Sequence, residues 1–171
     1  MSKIACVMTS MFEDVEYTQP VDAFTKEGHE VTTIEWEAGK EVTGKQGQTT
    51  TTIDKSINDV KPTDFDALFI PGGFSPDQLR GDEKFVQFAK HFMDEKKPVF
   101  AICHGPQLLI TAKSLEGRTA TGFKSIAVDM EYAGVDYKDQ EVVVCQDQLV
   151  TSRQPDDIPA FNHEASKLIK K

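Results

Sequence analysis

The chain has 171 residues, 39% hydrophobic and 27% charged, a length and balance that suit one domain with a sizeable core. A formal net charge of −9 and no basic stripe argue against nucleic acid or an anionic membrane surface as a partner. Three cysteines, an odd number with no Cys-x-x-Cys pair, argue against a disulfide framework or a structural zinc site.

The first apolar run, Ile4–Met8, is too short for an export signal or a membrane span, and Glu13, Asp14 and Glu16 follow it, so a cytoplasmic location is expected. It reads as a buried strand. A helix with its core at Pro20–Glu27 comes next, ended by Gly28, with His29 at an exposed strand entrance before the second run, Val31–Ile34. Glu41–Gly47 has the make-up of a turn or hairpin beside the sheet, and Thr49–Thr52 that of an edge strand. Two further runs, Ala67–Ile70 and Val99–Ile102, bracket an apolar stripe at helical spacing: Phe85, Phe88, Ala89, Phe92 and Met93. On that helix His91 and Glu95 read as a surface pair. His104–Lys113 forms a third helix, with Pro106 in the first turn, where a missing N–H costs nothing. Val142–Cys145 is the fifth run. Ile158, Phe161, Ala165, Leu168 and Ile169 mark a last helix, with Asp156 or Asp157 at its N-cap and His163 on its surface. The basic run Lys167, Lys170 and Lys171 then complements that helix's dipole.

Near-continuous apolar runs suit strands buried on both faces. Their alternation with helices predicts an α/β fold: a three-layer, doubly wound, mostly parallel sheet. Ligands bind such sheets beyond the carboxyl ends of the strands, which points to the loops after Met8, Ile70 and Ile102.

In Val99-Phe100-Ala101-Ile102-Cys103-His104-Gly105-Pro106-Gln107 a buried strand stops at Cys103 and a helix starts at once. This is the pattern of a nucleophile elbow, a turn that exposes one reactive side chain; Gly105 gives the room such a turn needs. The helix N-terminus is expected to lower the thiol pKa, and the His104 N–H to serve an oxyanion. Cys6 and Cys145, each inside an apolar run, read as small buried residues. Phe69-Ile70-Pro71-Gly72-Gly73-Phe74 ends a strand in two glycines whose N–H groups suit an oxyanion cradle. In Phe12-Glu13-Asp14-Val15-Glu16-Tyr17 the acids complement a helix N-terminus; Glu13 and Glu16, three apart, share a face. A carboxyl brought beside a thiol would hold its proton and shuttle it. Arg153 is expected to anchor a loop. No metal spacing or cofactor motif is present.

Phe12–Glu16, Pro71-Gly72-Gly73, Ala101–Gln107 and Thr151-Ser152-Arg153-Gln154-Pro155-Asp156-Asp157, taken together and in this order, resemble the ThiJ/PfpI superfamily, in its general-stress-protein and PfpI-type intracellular-protease branch. The resemblance spans essentially the whole chain. It implies a flavodoxin-like fold related to class I glutamine amidotransferase domains. It implies Cys103 as the elbow nucleophile, Glu16 as the carboxyl bonded to it, and Gly73 and His104 as oxyanion donors. Glu13, on the face it shares with Glu16, is a candidate substrate-binding residue from the acidic cluster itself. In the PfpI branch an acid from a neighbouring subunit orients the histidine. Asp77 stands at that position, one methylene shorter than the glutamate of the archaeal proteases. A homodimer or larger assembly is implied, and no cofactor. The leading expectation is a cysteine-dependent enzyme acting on reactive carbonyls, as a glyoxalase or a deglycase on methylglyoxal and its adducts. The alternatives are an intracellular cysteine peptidase and a non-enzymatic redox sensor or holding chaperone.

Overall fold

The computed structural model describes residues 1–169. Lys170 and Lys171, two of the three lysines assigned to a helix end, lie outside the described residues.

Seven strands form the central sheet: β1 (Lys3–Val7), β2 (Glu30–Glu35), β5 (Lys55–Ser56), β6 (Ala67–Ile70), β7 (Val99–Ile102), β10 (Val143–Cys145) and β11 (Leu149–Ser152). Their order is β10-β11-β7-β6-β1-β2-β5, and every pairing is parallel except β10 with β11. The sheet is covered on both faces, as the unbroken apolar runs require. Side chains alternate across it. Ala5, Val7, Leu68, Ile70, Val99 and Ala101 face a layer built on α3 (Glu83–Asp94) and α4 (Pro106–Thr111). Ile4, Cys6, Phe69, Phe100 and Ile102 face Phe24 of α1 (Asp14–Lys26) and Phe161 of α6 (Ile158–Ile169). This is the doubly wound three-layer arrangement expected from the sequence.

The chain lays β2 on one side of β1 and then returns to place β6 on the other. The direction of winding therefore reverses at β1, and the loops after β1, β6 and β7 open together at one edge, where such sheets hold ligands.

Several local expectations are corrected. The run at Val142–Cys145 is not a central parallel strand. It starts at Val143 and forms an antiparallel edge against β11, a strand the sequence reading missed. Val144 on that edge faces outward, 37% exposed. Thr50–Thr52 (β4) is not an edge of the main sheet, because it pairs with Glu41–Thr43 (β3) in a separate two-stranded hairpin. Two more short strands, β8 (Thr119–Ala120) and β9 (Asp136–Tyr137), pair in parallel outside the main sheet, with α5 (Ala127–Tyr132) between them in the chain. His29 is buried rather than exposed, and its Nδ1 accepts the Ser2 N–H at 3.0 Å. His91 does not pair with Glu95: its ring packs edge-on against Phe92, 5.9 Å between centroids, and among the described residues its Nε2 has no partner. The helix expected over His104–Lys113 is shorter, because residues 103–105 form the turn and Gly105 is its N-cap. Asp157 directly precedes α6, at the end of a 3-10 turn, Pro155–Asp157, but among the described residues its buried carboxylate is taken by Arg153 rather than by an N–H of the helix.

Candidate active site

Cys103 has φ +63°, in the left-handed region that side chains with a Cβ rarely adopt. Its neighbours hold it there. The Cys103 N–H donates to Ser152 O at 2.9 Å and its carbonyl accepts the Phe123 N–H at 2.8 Å. Gly105 is required for space: a Cβ there would lie 2.6 Å from Ile70 O and 3.0 Å from Ile102 N and O. The turn is thus wedged between β6 and β7, and one residue is held strained at its top, as an elbow nucleophile needs.

The backbone N–H groups of Gly73 and His104 lie near the Cys103 sulfur and favour its thiolate, although among the described residues neither has the geometry of a formed hydrogen bond to it. Gly73 has φ +80°, and a Cβ on it would sit 2.5 Å from Glu13 N and 2.6 Å from Met11 O. Only glycine lets this loop pass so close to the one after β1 while turning its N–H inward. The two loops are joined by an isolated bridge between Phe12 and Gly73.

Glu16, in the first turn of α1, is fully buried. Its oxygens meet Cys103 and the Gly72 N–H, yet among the described residues neither contact has the geometry of a formed hydrogen bond. Burial of an unsatisfied carboxylate, reinforced by the nearby Glu13 charge, raises its pKa to about 8. At neutral pH Glu16 keeps its proton.

The expected lowering of the thiol pKa is corrected. Burial pushes the Cys103 thiol well above its usual range, and a Glu16 carboxylate would push further; the Gly73 and His104 N–H groups act the other way without prevailing. The helix that follows has six residues, and the thiol lies ahead of its cap, so little dipole reaches it. Glu16 changes sides when protonated: a neutral carboxyl can donate to the sulfur and so favours the thiolate.

His104 lies against Cys103, with Nδ1 3.3 Å from Sγ. Its Nε2 is 3.2 Å from Ser125 Oγ, and its ring stacks on Phe123 at 5.1 Å between centroids. Burial and then the Lys45 charge lower its pKa, against the pull of Asp77.

The structure therefore gathers Cys103, Glu16, Gly73 and His104 at one point. Glu13 lies at the margin, held by Lys45 Nζ at 3.4 Å and Gln46 Nε2 at 3.2 Å. Asp77, in the short helix α2 (Ser75–Leu79), does not bond to His104 within the chain; it is 66% exposed, with Arg80 at 3.9 Å. Asp14 does more than complement a dipole, since its carboxylate accepts N–H groups of Gln46, Gln48 and Thr49 and fastens the tip of the β3–β4 hairpin. Arg153 anchors a loop, bonded to Asp157 and Asp139. Cys6 is fully buried, which pushes its thiol far up and leaves it inert. Phe123, Ser125 and Lys45 were not singled out from the sequence. Phe123 and Ser125 carry no motif, and Lys45 is hidden in a turn, its ammonium 5.3 Å over the Phe74 ring.

Among the described residues no helix is long and apolar enough to cross a membrane, and no group of three His, Cys, Asp or Glu side chains is placed to hold a metal.

A strained cysteine at the top of a doubly wound sheet, with a buried carboxyl and two inward N–H groups, defines a class of elbow-cysteine proteins. Residues 2–168 match the DJ-1/PfpI family, and the chain belongs to that family. Among its relatives, General stress protein 18 of Bacillus subtilis is 68% identical over 99% of this chain and 98% of its own length. Protein/nucleic acid deglycase 2 of Escherichia coli is 59% identical over 98% of this chain and 97% of its own. A further Bacillus subtilis relative, YraA, 56% identical over 98% of both chains, bears a provisional cysteine-protease name. A crystal structure of a two-domain Anabaena variabilis protein with DJ-1/ThiJ/PfpI-like and ferritin-like domains superposes with a TM-score of 0.96 at 35% identity. The match covers 99% of this chain and 48% of that protein, so this chain spans about half its length.

Proposed function

We propose that this protein is a cysteine-dependent enzyme that converts small reactive carbonyls, 2-oxoaldehydes such as methylglyoxal or their adducts, into 2-hydroxy acids. The observation that carries the reading is the Glu16–Cys103 pair: a buried carboxyl that holds its proton at neutral pH beside a buried, strained thiol. A reaction that must protonate an oxygen and then move a proton between adjacent carbons needs such a group next to its nucleophile.

The Cys103 thiol gives its proton to His104 Nδ1, and the sulfur adds to the aldehyde carbon. A C–S bond forms and the carbonyl π pair moves onto oxygen. The Gly73 and His104 N–H groups steady that oxyanion until it is protonated, giving a hemithioacetal. The hydrogen on that carbon leaves as a proton, and a proton returns to the neighbouring carbon through Glu16 or His104. The product is a thioester of the 2-hydroxy acid. Water cleaves it and restores the thiol. The sum is one 2-oxoaldehyde and one water giving one 2-hydroxy acid, an internal redox exchange. With an adduct as substrate, the amine or thiol of the adduct leaves as the sulfur bonds.

The name of the Escherichia coli relative, a protein and nucleic acid deglycase, supports this direction. The acidic charge of this chain counts against a basic nucleic-acid-binding surface, not against a glycated base as a substrate. The test is lactate formation from methylglyoxal, followed by proton NMR, with wild type and Cys103→Ala. Lactate from wild type alone supports the reading; equal rates in both proteins overturn it.

The contact between His104 Nδ1 and Cys103 Sγ, at 3.3 Å, also favours a second reading, a peptidase in which Asp77 of a neighbouring subunit completes the site in a homodimer or larger assembly. Cleavage of unfolded peptides that survives Asp77→Ala in an intact assembly rules that triad out.

A further inference from the structure

We propose that Ser125 is a positioning residue that sets the tautomer of His104, holding the ring proton on Nε2 so that the Nδ1 lone pair faces the Cys103 sulfur. The inference rests on the carbonyl-enzyme reading and supplies the base it needs.

The geometry fixes both ends of the ring. Nδ1 is 3.3 Å from Cys103 Sγ, and Nε2 is 3.2 Å from Ser125 Oγ. Phe123, stacked on the ring at an interplanar angle of 28°, leaves it little freedom to rotate away. Ser125 sits in a 3-10 turn, Lys124–Ile126, and the same segment is tied to the elbow by the Phe123 N–H on Cys103 O. The serine is thus anchored to the elbow through its own segment.

A neutral imidazole carries one N–H, and the partner of one nitrogen decides what the other can do. Burial and the Lys45 charge from the β3–β4 hairpin favour the neutral ring, Asp77 from α2 pulls the other way without prevailing, and Cys103 on its own turn lies against Nδ1. With the proton on Nε2, donated to Ser125 Oγ, Nδ1 is free to accept the thiol proton. The Ser125 hydroxyl, which is exposed, passes its own hydrogen to solvent. A carboxylate in that place would stabilise imidazolium and hold the proton. A hydroxyl orients the ring without trapping the charge, which suits a step in which His104 must give the proton back. His104 and Glu16 then have separate tasks, the first as the base that opens the reaction and the second as the acid that answers the oxyanion.

The experiment compares wild type, Ser125→Ala and Ser125→Thr by three readouts: ¹⁵N shifts of the His104 ring, the alkylation rate of Cys103 by iodoacetamide at neutral pH, and kcat and KM for methylglyoxal. Wild type should show the Nε2-protonated tautomer. Ser125→Ala should lose it for a mixture, with alkylation and kcat each down about 10-fold and KM unchanged, below the ~10²–10⁴-fold of losing a general base outright. Ser125→Thr should restore all three. A wild-type ring protonated on Nδ1, or an unchanged tautomer and alkylation rate in Ser125→Ala, overturns the proposal. Ser125-dependent alkylation in a protein that makes no lactate would uphold the role of Ser125 and overturn the carbonyl reading.

Discussion

Glu16 and Cys103 close on each other across a single glycine: a Cβ added to Gly72 would lie 2.3 Å from Glu16 Oε1 and 2.7 Å from Cys103 Cβ. A side chain at position 72 would therefore strike both the carboxyl and the thiol residue. The two groups act on each other's ionisation and titrate as a pair.

The raised Glu16 pKa makes stability depend on pH. In the unfolded chain the carboxyl ionises near 4.5, whereas in the fold it holds its proton up to about 8. Between these values the native state binds more protons than the unfolded state, so stability falls as pH rises through this window. At pH 7 the cost is on the order of 3 kcal/mol. Glu16→Gln removes the ionisation. Urea unfolding should find it more stable than wild type by about 2–3 kcal/mol at pH 7 and nearly equal at pH 4.5, with turnover lost.

The strain at Cys103 predicts a second result. Its φ of +63° costs a residue with a Cβ about 1–2 kcal/mol, and glycine nothing. Cys103→Gly should therefore unfold at higher urea than Cys103→Ala, by about 1 kcal/mol, although both lack the thiol and both are inactive.

The elbow motif, the Pro-Gly-Gly turn and the acidic cluster were all legible in the sequence, because each is a local pattern of residue types placed where an apolar run ends. Apolar runs such as Ala67–Ile70 and Val99–Ile102 gave the central strands. Leu149–Ser152 was missed because its polar Thr151 and Ser152 break the apolar pattern, although both side chains are fully buried and bonded. Ser125 and Phe123 are joined to Cys103 only through folding, across about twenty residues with no local signature. The direction of the thiol pKa was misjudged because a sequence shows the helix that follows but not how deeply the sulfur sinks or which charge lies beside it.

Asp14 offers a third test. Burial alone would raise its carboxyl, but the N–H groups of Gln46, Thr49 and Gln48 outweigh that and hold it below the usual range. Its contribution to stability is therefore present above about pH 4 and is lost as pH falls through its folded pKa. Asp14→Ala should cost about 2–3 kcal/mol at pH 7 in urea unfolding, because several loop donors lose one acceptor together. It should also free the hairpin tip, read as faster hydrogen exchange at Gln46, Gln48 and Thr49.

The most direct test of the account is the pH dependence of kcat/KM for methylglyoxal in the wild-type protein. If a protonated Glu16 supports the Cys103 thiolate, the rate falls above an apparent pKa of about 8, a value that belongs to the pair. A rate that keeps rising through about pH 9, as it would for an isolated thiol shedding its proton, contradicts the account.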